Sequence, residues 1–274
     1  MTESLDQARD TLVALREGLG PHARQEGRVQ LQLDGVVAQL VLDHGARRNA
    51  LTVGMMVELA EHVQALQQLQ VALVLLRAEE PRVFCAGGDL SELPHAPPEA
   101  AASMCVAMGT VLDALLDLSA VSVCVLDGLA VGGGAELTTA CDHRVGTGAA
   151  RIHFVQSTLG IAPGWGGAGR LVGHLGRRDA LKVLTGGAPV PVSHPLFDGE
   201  LDVGDGEDAV QAALRWAEPI LARPVAAVRA VKAQVVAASP ARTGRLADEA
   251  AAFGSVWGGP AHRAALERLA RHRS

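Results

Sequence analysis

Apolar positions along the chain change their period several times. Residues 4–19 carry Leu5, Ala8, Leu12 and Leu15 at helical spacing, and Gly18, Gly20 and Pro21 close that run. Val29-Gln30-Leu31-Gln32-Leu33 then alternates, as a half-buried strand does. Val37–Leu42 reads as a second strand, with Asp34-Gly35 between them as a hairpin signal. Leu51–Leu69 returns to helical periodicity. Val71–Leu76 is continuously apolar, the pattern of a strand covered on both faces. Ala100–Leu118 predicts a long helix after a loop at 94–98, and Val121–Leu126 predicts another buried strand. Asp142–Thr147 and Arg151–Phe154 suggest a strand-and-turn pair, with helices following to about His174 and over Arg178–Leu184. This alternation predicts an α/β core with a mostly parallel sheet. Residues 187–206, with prolines around Val192-Ser193-His194, read as a boundary or variable loop. Beyond them the pattern is helical, around 207–221, 223–237, 241–255 and 260–271.

Two of the strand-like runs end in glycine. The first break is Gly87-Gly88-Asp89, inside Val83–Leu90. The second is Gly132-Gly133-Gly134, followed by Glu136. Each predicts free backbone N–H groups near the start of a helix. Taken alone, each is a tight turn or a close packing contact, with Asp89 capping the next helix. Taken together, they predict two donors able to converge on one oxygen anion. Glu136 is open to two readings, a carboxylate favoured by a helix N-terminus or a buried general acid/base in apolar surroundings. Arg47 and Arg48 are solvated, or they meet the phosphates of a nucleotide-like handle. Trp165, among glycines, is core or pocket wall.

Composition narrows the chemistry. The chain has 274 residues, room for one large domain with a helical appendage, and its 49% apolar content allows a substantial core. Net charge is −6, and no basic tract is interleaved with aromatics, which argues against a nucleic-acid partner. Cys85, Cys105, Cys124 and Cys141 form no CxxC pair, so they read as small buried hydrophobes rather than zinc ligands or disulfides. HExxH and GxSxG are missing, which removes support for those metallohydrolase and serine-hydrolase signatures. Gly164–Gly169 spells GxGxxG but follows Pro163 rather than a strand, so it reads as a packed turn. His194–Asp198 has HxxxD spacing inside a loop and reads as surface. The acidic start and the lack of an apolar run of ~20 residues lead to an expectation of a cytoplasmic protein with no membrane partner.

Several motifs then align with one known family. Asn49-Ala50-Leu51, Phe84–Leu90, Asp127–Glu136, Ala140-Cys141-Asp142 and Leu159–Gly167 with Arg170-Leu171 stand in the order and spacing of the crotonase, or enoyl-CoA hydratase/isomerase, family, which this chain resembles. Phe154-Val155, Gly160–Gly167, Gly176–Gly186 and the late Val256-Trp257-Gly258-Gly259-Pro260-Ala261 look most like its ethylmalonyl-CoA/methylmalonyl-CoA decarboxylase branch. The resemblance implies an α/β fold with a spiral of ββα units. It would comprise an N-terminal helical extension (1–27), a spiral core (28–200) and a C-terminal helical oligomerisation region (201–274) forming a homotrimer or hexamer.

The resemblance also implies an acyl-CoA site. Coenzyme A would arrive as part of the substrate, with no tightly bound cofactor and no metal. Gly88 and Gly133 would supply oxyanion-hole amides, and the Ala86 carbonyl would meet the adenine, with Arg47 and Arg48 nearby. Leu90 and Trp165 would line the substrate pocket. Glu136 matches the first glutamate of typical hydratases. The second falls on Gln156, which cannot accept a proton at neutral pH. One carboxylate suffices to protonate an enolate after loss of CO₂, so this inventory favours decarboxylation of a short 2-alkylmalonyl-CoA. Hydration, dehydration or isomerisation of an enoyl thioester is the alternative, and an acyl-carrier-protein thioester is an alternative carrier. A catalytically inert binding shell is the third reading, which a blocked pocket would reveal.

Overall fold

A computed structural model describes residues 3–271 apart from 25, 81, 93–97, 204–207 and 240–244. The chain opens with α1 (Leu5–Leu19), whose start is fixed by a capping box between Ser4 and Gln7 and whose inner face buries Ala8, Leu12, Leu15 and Leu19. The hairpin β1 (Arg28–Asp34) and β2 (Val37–Asp43) follows. Gly35 takes φ +56° at the first of its two turn positions, the place where such a turn needs glycine. Helix α2 (Val53–Gln68) is capped by the Thr52 hydroxyl, which accepts from the Met55 N–H at 3.1 Å.

Three ββα turns then wind on one another. The first is β3 (Leu73–Ala78), β4 (Arg82–Cys85) and α3 (Pro98–Leu116). The second is β5 (Val121–Leu126), β6 (Gly128–Val131) and α4 (Gly133–Thr138). The third is β7 (His143–Gly146), β8 (Arg151–His153) and α5 (Gly167–Gly186). The first strand of each turn joins one parallel stack and the second joins another. With β9 (Val190–Pro191) and β10 (Gly199–Glu200), this yields a six-stranded sheet of order β1-β2-β3-β5-β7-β10 and a four-stranded sheet of order β4-β6-β8-β9. Stacking turn upon turn buries β3 and β5 on both faces, which explains their unbroken Val/Leu runs.

The segment 187–206 departs from the sequence expectation. Within it β9 (Val190–Pro191) pairs with β8 and β10 (Gly199–Glu200) pairs with β7, so these two strands edge the two sheets. Two-residue strands carry no periodicity by which to be read. The helix expected to end near His174 and the one expected from Arg178 are joined in α5, with the break at Gly176, φ +73°. The loop read at 94–98 lies outside the described residues apart from Pro98. The tail comprises α6 (Ala209–Trp216), α7 (Glu218–Leu221), α8 (Val225–Ala238), α9 (Arg245–Val256) and α10 (Pro260–Arg271).

The short sheet positions the site. Strands β4 and β6 lie side by side and parallel, so the glycine turns that follow them emerge together. Gly128 begins β6 at φ +143°, and a Cβ there would lie 2.1 Å from the Arg82 carbonyl oxygen. The two strands can approach that closely only with glycine at this point.

Candidate active site

The first glycine turn is held from one side by residues 44–51. Ala86 donates its N–H to the Arg48 carbonyl at 3.1 Å, Leu51 donates to the Gly87 carbonyl at 2.8 Å, and Asp89 donates to the Leu51 carbonyl at 2.9 Å. Gly88 therefore sits in a parallel bridge opposite Leu51. Since its neighbours turn their polar groups toward Leu51, its own N–H is directed to the other side, by the alternation of an extended chain. The clamp depends on Asn49, which is buried in a left-handed conformation with φ +53°. Its side chain accepts from His44 N–H at 2.8 Å and donates to the Val83 carbonyl at 2.8 Å, tying the clamp to β4.

The second turn ends at helix α4. Gly132 spends its N–H on the His153 carbonyl at 2.9 Å, and Gly133 is the first helical residue. Its N–H therefore has no acceptor one turn back. The two turns touch, since a Cβ on Gly87 would stand 3.2 Å from the Gly133 nitrogen. Gly88 and Gly133 line one cavity of about 470 Å³, together with Ala86, Leu90, Glu136 and Gln156.

Trp165 is both core and wall. It is buried, borders the cavity, and lays the hydrocarbon edge of its indole on Gly133, where a Cβ would meet three ring carbons within 2.9 Å. Arg48 borders the same cavity from an exposed turn. Arg47, its partner in the sequence reading, is exposed and lies away from the lining. A left-handed residue 48 (φ +56°) separates the directions of the two side chains. The described residues just after Asp89, 90–92, form a turn. The Asp89 carboxylate accepts from the Ser91 N–H at 2.8 Å within it.

Glu136 departs most from its expected surroundings. It is 3% exposed, yet its environment is rich in donors. One carboxylate oxygen accepts from Gln156 Nε2 at 3.0 Å and Gly164 N–H at 3.2 Å; the other accepts from Trp165 N–H at 2.8 Å and Gly167 N–H at 3.0 Å. Three of these donors belong to the turn entering α5, an arrangement suited to an anion. Burial pushes the carboxyl above its ordinary range, opposed by those N–H groups and by the nearby Arg170 charge. Gly167 has to be glycine, because a Cβ would fall 2.5 Å from Glu136 Cγ.

Arg170, itself buried, holds the turn. It donates to the Trp165 carbonyl, to the Thr139 hydroxyl at 3.0 Å and to Asp113 at 2.8 Å. Gln156 heads the short 3₁₀ turn Gln156–Leu159 and is also buried. Its nitrogen serves Glu136, while its carbonyl oxygen is buried without a partner among the described residues.

The sequence reading missed the far wall of the cavity. Phe253, Trp257 and His262, from α9, the α9–α10 turn and α10, border it as a row, Phe253 and Trp257 stacked with centroids 4.8 Å apart and Trp257 and His262 tilted by 40° at 4.4 Å. Phe253 and Trp257 stand four apart, but His262 belongs to the next helix, so helical periodicity does not group the three. All four cysteines are buried and unpaired. Cys85, adjoining the first turn, has its thiol pushed up to about 12 by burial, which leaves it no thiolate for nucleophilic chemistry.

Comparison with known proteins agrees with this architecture. The family model described as Enoyl-CoA hydratase/isomerase matches residues 33–257. An ethylmalonyl-CoA decarboxylase of Danio rerio is 38% identical over 251 residues, covering 89% of this chain and 83% of that protein. The Homo sapiens ethylmalonyl-CoA decarboxylase is 34% identical over 252 residues, covering 89% and 81%. Among solved structures, enoyl-CoA hydratases from Bacillus halodurans (TM-score 0.73, 17% identity, 88% of this chain and 99% of that one) and Bacillus anthracis (0.71, 22%, 89% and 96%) share the fold. The spiral of ββα turns, its paired glycine turns, the family match and the relatives converge: the chain belongs to the enoyl-CoA hydratase/isomerase, or crotonase, family and is a decarboxylase-like member of it.

Proposed function

We propose that this enzyme removes CO₂ from a short 2-alkylmalonyl-CoA. The observation that carries the reading is the meeting of the Gly88 and Gly133 turns on one cavity with Glu136 as its carboxylate. The names of the relatives support the same chemistry. The thioester carbonyl oxygen lies between the two glycine N–H groups. The bond from Cα to the carboxyl carbon breaks, its electron pair enters the enolate, and the developing oxygen charge is met by those donors. CO₂ departs, Glu136 passes a proton to Cα, and a solvent proton restores Glu136. The mainly apolar lining disfavours the concentrated charge of the substrate carboxylate more than the dispersed charge of the transition state. Arg48 meets the coenzyme A phosphates and the Ala86 carbonyl meets the adenine. Coenzyme A enters with the substrate, and no resident cofactor or metal takes part. Exposed Val231 and Val235 on α8, at 59% and 58%, support burial of that face in a homotrimer or hexamer.

One observation favours a second reading. Four N–H donors on Glu136 stabilise its anion, and an anion is a base. That state suits hydration or isomerisation of an enoyl thioester, with Glu136 abstracting or returning the proton. Incubation with ethylmalonyl-, methylmalonyl- and crotonyl-CoA, read by mass spectrometry, separates the two. Loss of CO₂ from the malonyl thioesters is expected. Water addition to crotonyl-CoA, with the malonyl thioesters unchanged, would replace this proposal by the second reading.

A further inference from the structure

Within the aromatic wall, His262 differs from its neighbours in carrying a directed N–H. It lies in the first turn of α10 and is 3% exposed. Its Nδ1 accepts the Gly258 N–H at 3.0 Å, which fixes the proton on Nε2. Nε2 has no protein partner among the described residues, and the ring borders the cavity. The ring is also held firmly. Trp257 packs against it with centroids 4.4 Å apart and the rings tilted by 40°, and α10 presses so closely on Gly160 that a Cβ there would lie 2.7 Å from Ala261 Cβ and 3.0 Å from the His262 nitrogen. A donor with a set tautomer and a set orientation is what recognition of a charged oxygen requires.

The rest of the cavity narrows what it recognises. The two glycine N–H groups serve the thioester oxygen under the reading above. Gln156 turns its amide nitrogen to Glu136 and leaves only its carbonyl oxygen without a partner, and under the same reading the Glu136 proton goes to Cα, so neither supplies the donor that a substrate carboxylate needs. We propose that His262 Nε2–H is the donor that recognises the free carboxylate of an acidic acyl thioester in this cavity, distinguishing it from a neutral acyl thioester. The assignment rests on the decarboxylase reading for its substrate class. Histidine 262 touches the group that leaves, and it neither forms the enolate nor protonates it.

The test compares apparent affinity for ethylmalonyl-CoA with the inhibition constant of butyryl-CoA, which lacks the carboxylate. His262→Phe keeps an aromatic ring and removes the donor. The expected result is about a tenfold weakening for ethylmalonyl-CoA, with butyryl-CoA unchanged and with recovery in His262→Gln. Trp257→Phe, which removes the neighbouring indole N–H, should preserve the discrimination. Equal weakening of both ligands would make His262 a packing residue and overturn the proposal, as would loss of discrimination in Trp257→Phe alone. Should His262→Phe fail to fold, the parent protein still decides. Its His262 Nε2–H magnetic resonance should move with an unreactive ethylmalonyl-CoA analogue and stay in place with butyryl-CoA; an unmoved resonance overturns the assignment. A parent that favours ethylmalonyl-CoA through His262 yet releases no CO₂ refutes the decarboxylase reading and supports this one. A parent that releases CO₂ with equal affinity in His262→Phe does the reverse.

Discussion

Gln156 donates its side-chain amide to Glu136 at 3.0 Å, and both side chains are buried in the cavity wall. By the family resemblance Gln156 stands where hydratases carry a second glutamate, and here it donates to Glu136. Gln156→Glu would set two carboxyl groups at that separation, where both cannot stay ionised. We expect decarboxylation to fall at least about tenfold, through lost alignment and repulsion of the substrate carboxylate. Turnover of crotonyl-CoA should rise from its baseline. Parallel assays on both thioesters check this, and an unimpaired decarboxylase would remove Gln156 from the mechanism.

The pH dependence of turnover tests the state of Glu136. Burial raises its pKa in the folded protein, so the proton-bearing form persists above the ordinary carboxyl range. If Glu136 delivers the proton, kcat for CO₂ release declines as pH rises through that elevated value. Glu136→Gln should lose this limb along with most of the activity. A rate that climbs with pH through the same limb would identify a base instead and favour the enoyl-thioester reading.

The Gly133–Trp165 contact predicts a steric phenotype. A Cβ on Gly133 would come within 2.5 Å of the Trp165 ring. Gly133→Ala should displace the indole and misdirect the amide, lowering kcat by about 10²-fold, the usual cost of one oxyanion donor. A shifted tryptophan emission in a protein with an intact far-ultraviolet circular dichroism spectrum would accompany it. Retained activity would remove Gly133 from the oxyanion site.

Asn49 links the clamp at 44–51 to β4 through two bonds of 2.8 Å. Asn49→Ala leaves a buried N–H and a partly buried carbonyl unpaired and strains a left-handed position. The expected destabilisation is about 1–3 kcal/mol, measured by urea unfolding. Activity should fall further than stability alone explains, because Gly88 hangs from this clamp.

His174 predicts an acid limb in stability. Its Nε2–H donates to the Thr139 carbonyl at 3.0 Å and its Nδ1 faces the Arg144 guanidinium at 3.3 Å. Burial and then the Arg144 charge lower its pKa to about 4. The unfolded histidine binds its proton near pH 6.5, so the unfolded state takes up more protons as pH falls. Stability is therefore full above about pH 6.5 and is lost progressively toward pH 4, where the folded group also protonates. Urea unfolding across this window should show the slope, and His174→Gln should flatten it.

Much of the fold follows from local pattern. Alternation in Val29–Leu33, the Asp34-Gly35 turn and the helical stripe of α1 need only neighbouring residues to be understood. The unbroken runs of β3 and β5 reveal strands buried on both faces, and glycine runs after a strand signal tight turns wherever they occur. The same logic brought Gly88, Gly133, Glu136, Arg48 and Trp165 to attention, the family resemblance added Ala86, Leu90 and Gln156, and these eight border one cavity. Local pattern left β9 and β10 hidden, since two-residue strands exist only by virtue of the sheet edges they complete. It also grouped Arg47 with Arg48, though one left-handed residue sends them apart.

Tertiary structure decided the chemistry of Glu136. Its flanking Ala135 and Leu137 suggested apolar surroundings, but its donors come from residues 156–167, brought against it by the stacking of the third ββα turn on the second. It decided the far wall as well, because Phe253, Trp257 and His262 meet the cavity only after the tail folds back across the spiral. Periodicity reports which face of an element is buried. Which distant groups share that burial, and hence which charges and donors face one another, is set by packing between elements far apart in the chain.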